Sequence, residues 1–365
     1  MNACPKKAIH MEPDRQGFLY PVINTVKCVD CGLCKQSCQI GKARSVQNEE
    51  PSNCFGVKNS DCIRAVSSSG GVFTALLDKF IIGGSAAVDA VFDSEMNVVH
   101  KTANTRKECD AFRGSKYVQS DMGNIYKEVA DSGQQLLFSG TPCQVAGLKE
   151  YIKAHRIDAA RLLTVDLVCH GAPSPKIWAD YISALEKKYH SDVETYTFRD
   201  KSVGWRGYHV RVSLADGRFI AQNTLTQSFA IIFGKEVMLR PSCFYCPYAS
   251  MGRCGDITIG DFWGIEGVDR DFLDNKGISM VLVNTPKGEK MFSAIRSGLN
   301  VKEYPSDVLT QPNLRKPTDF SLDYDAFWND YDSKGYLYVA KKYGGYGIFR
   351  KFRYYKNAVK RKLMK

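Results

Sequence analysis

At 365 residues the chain can bury a full-sized core, and 44% of its residues are hydrophobic. No apolar run approaches the roughly 20 residues needed to span a bilayer, and no apolar signal segment opens the chain, so a cytoplasmic protein is expected and a membrane-spanning one is not. The formal net charge is +11, but residues 341–365 alone hold ten Lys or Arg and no acid; the nearly neutral remainder argues against a general nucleic-acid binder.

In chain order, the first feature is Cys28-Val-Asp-Cys31-Gly-Leu-Cys34-Lys-Gln-Ser-Cys38, preceded by Cys4-Pro5. Two-residue gaps let one tight loop aim three thiolates at three irons of a cubane cluster, and a distant Cys completes the set. Cys4, Cys28, Cys31 and Cys34 are therefore expected to share one 4Fe-4S cluster within a small module over residues 1–45. Cys38 is then either a free cysteine or the fourth ligand of a cluster whose other three ligands lie upstream, with Met1 internal to a longer chain. Residues 48–53 read as a polar linker. From about residue 60 the pattern becomes interleaved helices and short apolar strands, an α/β domain running to about residue 300. A helix is predicted over 69–82, with Val72, Phe73, Leu76, Leu77 and Phe80 on one side. Strands are predicted over 86–92, 135–138 and 162–168, with a helix over 145–152 between the last two. A Pro-started helix follows through Trp178, Tyr181 and Leu185. Strands over 193–198 and 208–214 come next, the second closed by Asp216-Gly217 into a hairpin with 218–221. A strand over 279–283 and a helix around Met291 complete the domain. Residues 301–365 form a C-terminal extension. Its end places Ile348, Phe352, Tyr355, Val359 and Leu363 at helical spacing among basic residues. Such a helix suits an anionic membrane surface, an acidic partner or plain solvent.

The chain has thirteen cysteines, which in this context favours metal ligation over disulfides. Cys243-Phe-Tyr-Cys246 is a C-x2-C pair. Cys143 and Cys169 fall at predicted strand ends, where α/β domains build their sites. Ser67-Ser-Ser-Gly-Gly71 opens a helix with small residues. This is either an ordinary N-cap or a place where a phosphate approaches backbone N–H groups. There is no G-x-G-x-x-G after a strand, so a Rossmann dinucleotide site is not supported.

The segments Ser68-Ser-Gly-Gly71, Arg113-Gly-Ser-Lys-Tyr117, Gly140-Thr-Pro-Cys-Gln144, Asp166-Leu-Val-Cys-His-Gly171, Cys243-x-x-Cys246 and Asp256-Ile-Thr-Ile-Gly-Asp-Phe-Trp263 resemble, in this order, the coenzyme F420 hydrogenase/dehydrogenase beta-subunit family. The likeness is greatest to relatives that carry an N-terminal ferredoxin-like segment and occur with polysaccharide genes. It implies a mixed-sheet flavin domain carrying FAD and iron–sulfur clusters. It implies that Cys143, Cys169, Cys243 and Cys246 hold a second 4Fe-4S cluster. It also implies cofactor contacts from Ser68, Ser69, Gly70, Gly71, Gly114, Ser115, Lys116, Tyr117, Thr258 and Gly260. The expected activity is a flavin-dependent iron–sulfur oxidoreductase, with a role in polysaccharide biosynthesis and with F420 itself not expected as the substrate. A redox partner protein and a small or sugar-derived substrate are the expected partners. The alternatives are a noncatalytic electron-transfer subunit and, from another class, a zinc-binding nucleic-acid module. Cys54, Cys62, Cys109 and Cys254 are read mainly as non-ligands, Cys254 also as a substitute ligand close to Cys246. His170 is either a structural histidine or one that tunes the adjacent cluster or relays protons to the flavin. No catalytic residue is singled out.

Overall fold

A computed structural model describes residues 1–347, Tyr208 and Gln222 excepted. The tail positions Ile348, Phe352, Tyr355, Val359 and Leu363 lie outside the described residues. The strands in chain order are β1 (Ile9–Pro13), β2 (Leu19–Ile23), β3 (Asn53–Lys58), β4 (Ala86–Phe92), β5 (Val98–Ala103), β6 (Leu136–Gly140), β7 (Leu162–Leu167), β8 (Val193–Asp200), β9 (His209–Leu214), β10 (Phe219–Ala221), β11 (Ile257–Asp261), β12 (Ser279–Val283) and β13 (Asn300–Pro305). Eight of them form one mixed sheet in the order β13-β3-β12-β11-β7-β6-β4-β5. Its middle is parallel, from β4 through β6 and β7 to β11. Antiparallel strands flank it on both sides. The fold is thus the expected mixed α/β sheet domain.

Central strands buried on both faces need apolar residues at consecutive positions, and Leu136, Leu137 and Phe138 of β6 supply them. On one face, Val72, Leu76 and Leu77 of helix Val72–Phe80 pack with Phe292 and Ile295 of helix Pro286–Arg296. On the other, Val145, Leu148 and Ile152 of helix Pro142–Ala154 pack with Ile125 and Val129. A second layer holds the antiparallel sheet β10-β9-β8. It packs against helix Pro175–Tyr189 and the C-terminal helices Tyr324–Lys334 and Tyr336–Lys342, sharing an aromatic core around Trp178, Tyr181, Phe229 and Trp328.

The N-terminal hairpin β1–β2 is tied into that second core. Phe18 is fully buried there, Ser174 Oγ donates to the Gln16 carbonyl at 2.5 Å, and Tyr324 Oη donates to Gln16 Oε1 at 2.9 Å. Gly17 adopts φ +84°, and a Cβ there would stand 2.4 Å from the Cβ of Lys176. The close approach of module to body therefore requires glycine.

Several predicted elements differ from the observed ones at their ends. The helix expected from residue 69 begins at Val72, because Gly71 takes φ +81° and breaks the turn before it. Residues 48–53 do not stay a linker throughout: Asn53 already pairs with Pro305 as the first residue of β3. Cys54 and Val57 of that strand are fully buried. Among the described residues no helix is long and apolar enough to cross a membrane.

Candidate functional site

The N-terminal thiols are gathered by two turns and a hairpin. Pairing of Ile9 with Ile23 lays the Cys4 turn beside the loop that leads into Cys28. Asp30 (φ +50°) and Gly32 (φ +72°) reverse that loop on itself, so that Cys28, Cys31 and Cys34 follow in quick succession. All four cysteines line one cavity of about 150 Å³. The Ala8 N–H donates to Cys4 Sγ at 3.3 Å. This donor, aided by the N–H groups of Lys6 and Ile9, holds the Cys4 thiol below its ordinary pKa, which favours the thiolate that ligates metal. Cys38 does not line this cavity; it faces a second, much larger one.

The inner thiols stand at the ends of the central strands. β6 and β7 run parallel with Gly140 opposite Asp166, so the chain leaves both at the same edge. After β6, Thr141 and Gln144 form a reciprocal cap that starts helix Pro142–Ala154, and Cys143 sits in its first turn. Cys169 lies just past the end of β7. Cys243 and Cys246 belong to the turn around Pro241–Tyr245. That turn is tied to the Cys169 segment by Arg240 N–H to Ala172 O at 2.9 Å and by Ala172 N–H to Cys243 Sγ at 3.4 Å. Burial raises the Cys169 thiol pKa, and the neighbouring Cys243, Cys143 and Cys246 raise it further. Burial likewise pushes Cys243 up to about 12, again with Cys143 and Cys246 beside it. Four thiols thus stand within electrostatic reach of one another, in a place where negative charge is costly unless a cation neutralises it. Among the described residues no group of three or more His, Cys, Asp or Glu side chains is close enough to hold a metal ion. A cubane distributes its thiolates over different irons, so its ligands stand further apart than those of one tetrahedral ion. Cys254 is fully buried in the core beneath this edge, and its N–H donates to Asp166 Oδ2 at 2.9 Å. Cys54 and Cys109 are buried as well, and Cys62 is exposed.

Cys38, Cys143, Cys169, Cys243 and Cys246 all border a cavity of about 1960 Å³, well above the ~300–1,000 Å³ typical of a small-molecule site. Ser68, Ser69, Gly71, Gly114, Ser115, Lys116, Tyr117 and Gly260 also line it. Two of the sequence motifs meet here: the Ser115 N–H and Oγ both donate to Ser68 Oγ, at 2.8 and 3.0 Å. Lys116 Nζ donates to the carbonyls of Phe112, Arg113 and Gly114. Burial lowers its pKa to about 8.

Gly70 and Thr258 do not line the cavity. Gly70 lies under the sheet edge, its N–H on Ser279 Oγ at 3.0 Å, and a Cβ there would be 2.1 Å from the Val57 carbonyl. Thr258 is fully buried, donating to Asp166 Oδ1 at 2.5 Å and accepting from Asn284. Side chains alternate along a strand, so Thr258 turns inward.

Two further lining residues, Asp89 and His100, carried no sequence signal. Asp89 and His100 are isolated polar residues on β4 and β5. Burial pushes Asp89 up to about 6, and both ring nitrogens of His100 are buried. Opposite them, Arg199 pairs with Asp261 at 3.0 Å. Trp205 Nε1 donates to the same carboxylate at 2.7 Å, and Trp205 stacks on Trp263 at 4.7 Å. Trp205 itself is core, whereas Arg199 and Trp263 face the cavity. Tyr117 stacks on Phe233 at 5.1 Å. His170 lines the cavity next to Glu236, its Nε2 3.3 Å from the carboxylate. Gln311 and Asn313 reach it from beyond the predicted domain end.

Residues 133–307 match the model of a family described as the C-terminal part of the coenzyme F420 hydrogenase/dehydrogenase beta subunit. Among solved structures, a chain of the F420-reducing [NiFe] hydrogenase complex from Methanosarcina barkeri, from a xenon-derivatization study, is 18% identical; the match covers 81% of this chain and 92% of that one with a TM-score of 0.48. The matched segment contains Cys143, Cys169, Cys243 and Cys246, and over residues 133–307 the chain is similar to the C-terminal part of that beta subunit.

Proposed function

We propose that this protein is a flavin- and iron–sulfur-dependent oxidoreductase. It relays electrons between a one-electron donor and a two-electron carrier or substrate. Cys4, Cys28, Cys31 and Cys34 would hold one 4Fe-4S cluster; Cys143, Cys169, Cys243 and Cys246 would hold another. FAD would lie in the large cavity against the joined Ser68 and Ser115 loops. The observation that carries this reading is the sorting of nine cysteines, four around the small cavity and five, Cys38 among them, on the wall of the large one. The donor sets fit: thiolates suit iron–sulfur clusters, and backbone N–H groups already point at Cys4 and Cys243. A bound flavin supplies the exchange between single electrons and pairs. The chain's own residues would position it, would neutralise its phosphates at the Val72–Phe80 helix start and would tune it through Lys116 and Arg199. A sugar-derived substrate and a role in polysaccharide biosynthesis rest on the sequence resemblance alone.

A second reading is favoured by the family description, which is that of one subunit among several. In it the chain passes electrons to an enzyme and performs no substrate chemistry. The deciding experiment is single-turnover reoxidation of the reduced, cofactor-loaded chain. Flavin reoxidation by a small two-electron acceptor without any other protein supports the oxidoreductase. Reoxidation only in the presence of a partner protein supports the electron-transfer role.

A further inference from the structure

The face of the N-terminal module that carries Cys31 and Cys34 is built unlike a solvated surface. Cys31 and Cys34 are themselves exposed. Around them, Val26 is 93% exposed, Val29 59% and Ile23 48%, three branched apolar side chains within seven residues of chain. Isolated exposed apolar residues are ordinary; a run of them beside a candidate redox centre is a contact surface. The charge around this patch is one-sided. Residues 1–9 and 21–36 contain Lys6, Lys7, Lys27 and Lys35 and a single acid, Asp30. All four lysines are exposed, and among the described residues none has a carboxylate within ion-pair distance.

We infer that this face is the docking surface for an acidic one-electron carrier protein, which would meet the exposed Val26 and Val29 and the lysines Lys6, Lys7, Lys27 and Lys35 of the same module. The inference rests on the reading that Cys4, Cys28, Cys31 and Cys34 hold a cluster. Charge complementarity selects the occupant: unpaired lysines steer an acidic partner and repel a basic one. The patch is small, which suits the brief encounters of electron carriers. In each encounter the reduced carrier loses one electron and the centre under the patch gains it; no bond forms or breaks. Two encounters deliver the pair that a two-electron acceptor in the large cavity requires.

The test uses the full-length, cluster-reconstituted chain and an acidic bacterial ferredoxin as the probe. Binding of oxidised ferredoxin is measured by calorimetry, and electron transfer from reduced ferredoxin by anaerobic stopped flow, both between low and high salt. The expected result is a second-order rate at least tenfold lower at 0.5 M salt than at 0.02 M. K6Q/K7Q/K27Q/K35Q is expected to lose at least tenfold in both binding and rate at low salt, with wild-type iron content and wild-type reduction by a small chemical reductant. V26S/V29S is expected to weaken binding without changing the salt slope. Wild-type binding and rate in the lysine variant would overturn the inference, as would a salt-independent rate. So would a dimer of this chain that the same substitutions dissociate. A wild-type chain that binds no iron at the N-terminal cysteines would overturn the cluster reading and this inference with it; iron present with no ferredoxin response overturns this inference alone.

Discussion

Asp166 anchors the edge where the inner cysteines leave the sheet. It is fully buried and accepts from the N–H groups of Cys254 and Gly255, from Thr258 Oγ1 and from Arg253, which is itself 1% exposed. Removing the carboxylate strands a buried guanidinium, and D166A is expected to cost about 3–5 kcal/mol in urea unfolding. D166N should cost less, because it keeps the shape and one acceptor. His100 answers a different condition. Burial pushes its pKa down to about 4 from an ordinary 6.5. An unfolded chain therefore binds a proton below about pH 6.5 that the folded chain refuses until about pH 4. Stability from this group falls as pH drops through that window, by about 3 kcal/mol at pH 4, and H100F should remove that limb from the pH–stability curve. Asp166 stands out only as the first residue of the Asp166–Gly171 segment and His100 not at all: a single Asp or His in an apolar strand looks the same whether it faces solvent, core or cavity.

At the scale of elements, the candidate cofactor site is a junction of two loops. Ser68 accepts two hydrogen bonds from Ser115, across 47 residues of chain. S68A should loosen the loops and weaken flavin binding about fivefold, the equivalent of one ordinary hydrogen bond, as read by fluorescence quenching. G70A is expected to act on the fold instead, since its methyl would collide with the Val57 carbonyl and the Ser279 amide. Overpacking of this kind costs about 1–3 kcal/mol and should lower Tm before it lowers flavin affinity. Legibility of the elements follows the strength of their patterns. The strand over 86–92 and the strand over 279–283 agree with the observed bounds, because small or apolar residues run between clear turns. β5 and β13 lie outside the strands predicted from the sequence. β5 (Val98–Ala103) carries His100 and Lys101 in its middle, and β13 (Asn300–Pro305) is an edge strand with only two partly buried positions. Both owe their shape to a neighbouring strand more than to their own sequence. The cysteine spacings are legible because thiolate chemistry fixes them; Asp261 and Trp263 are legible as part of the 256–263 segment, but their meeting with Arg199 is not, because distant segments assemble it.

For the whole molecule, the proposed relay would run from the N-terminal hairpin to the large sheet. The N-terminal hairpin presents one thiol set to solvent and is fastened to the second core through Phe18, Gln16 and Gly17. The sheet edge presents the other set to the large cavity. Cys38 faces that cavity from the module side. A modular relay predicts separable losses. C31S should remove the N-terminal cluster and leave the inner cluster and flavin in place. C243S should do the reverse to the clusters. The most direct measurement is quantification of iron, acid-labile sulfide and flavin after anaerobic reconstitution of the full chain and these two variants. The account predicts roughly eight irons, eight sulfides and one flavin per wild-type chain, and about half the iron in each variant. A colourless wild-type chain that takes up zinc but neither iron nor flavin would contradict it.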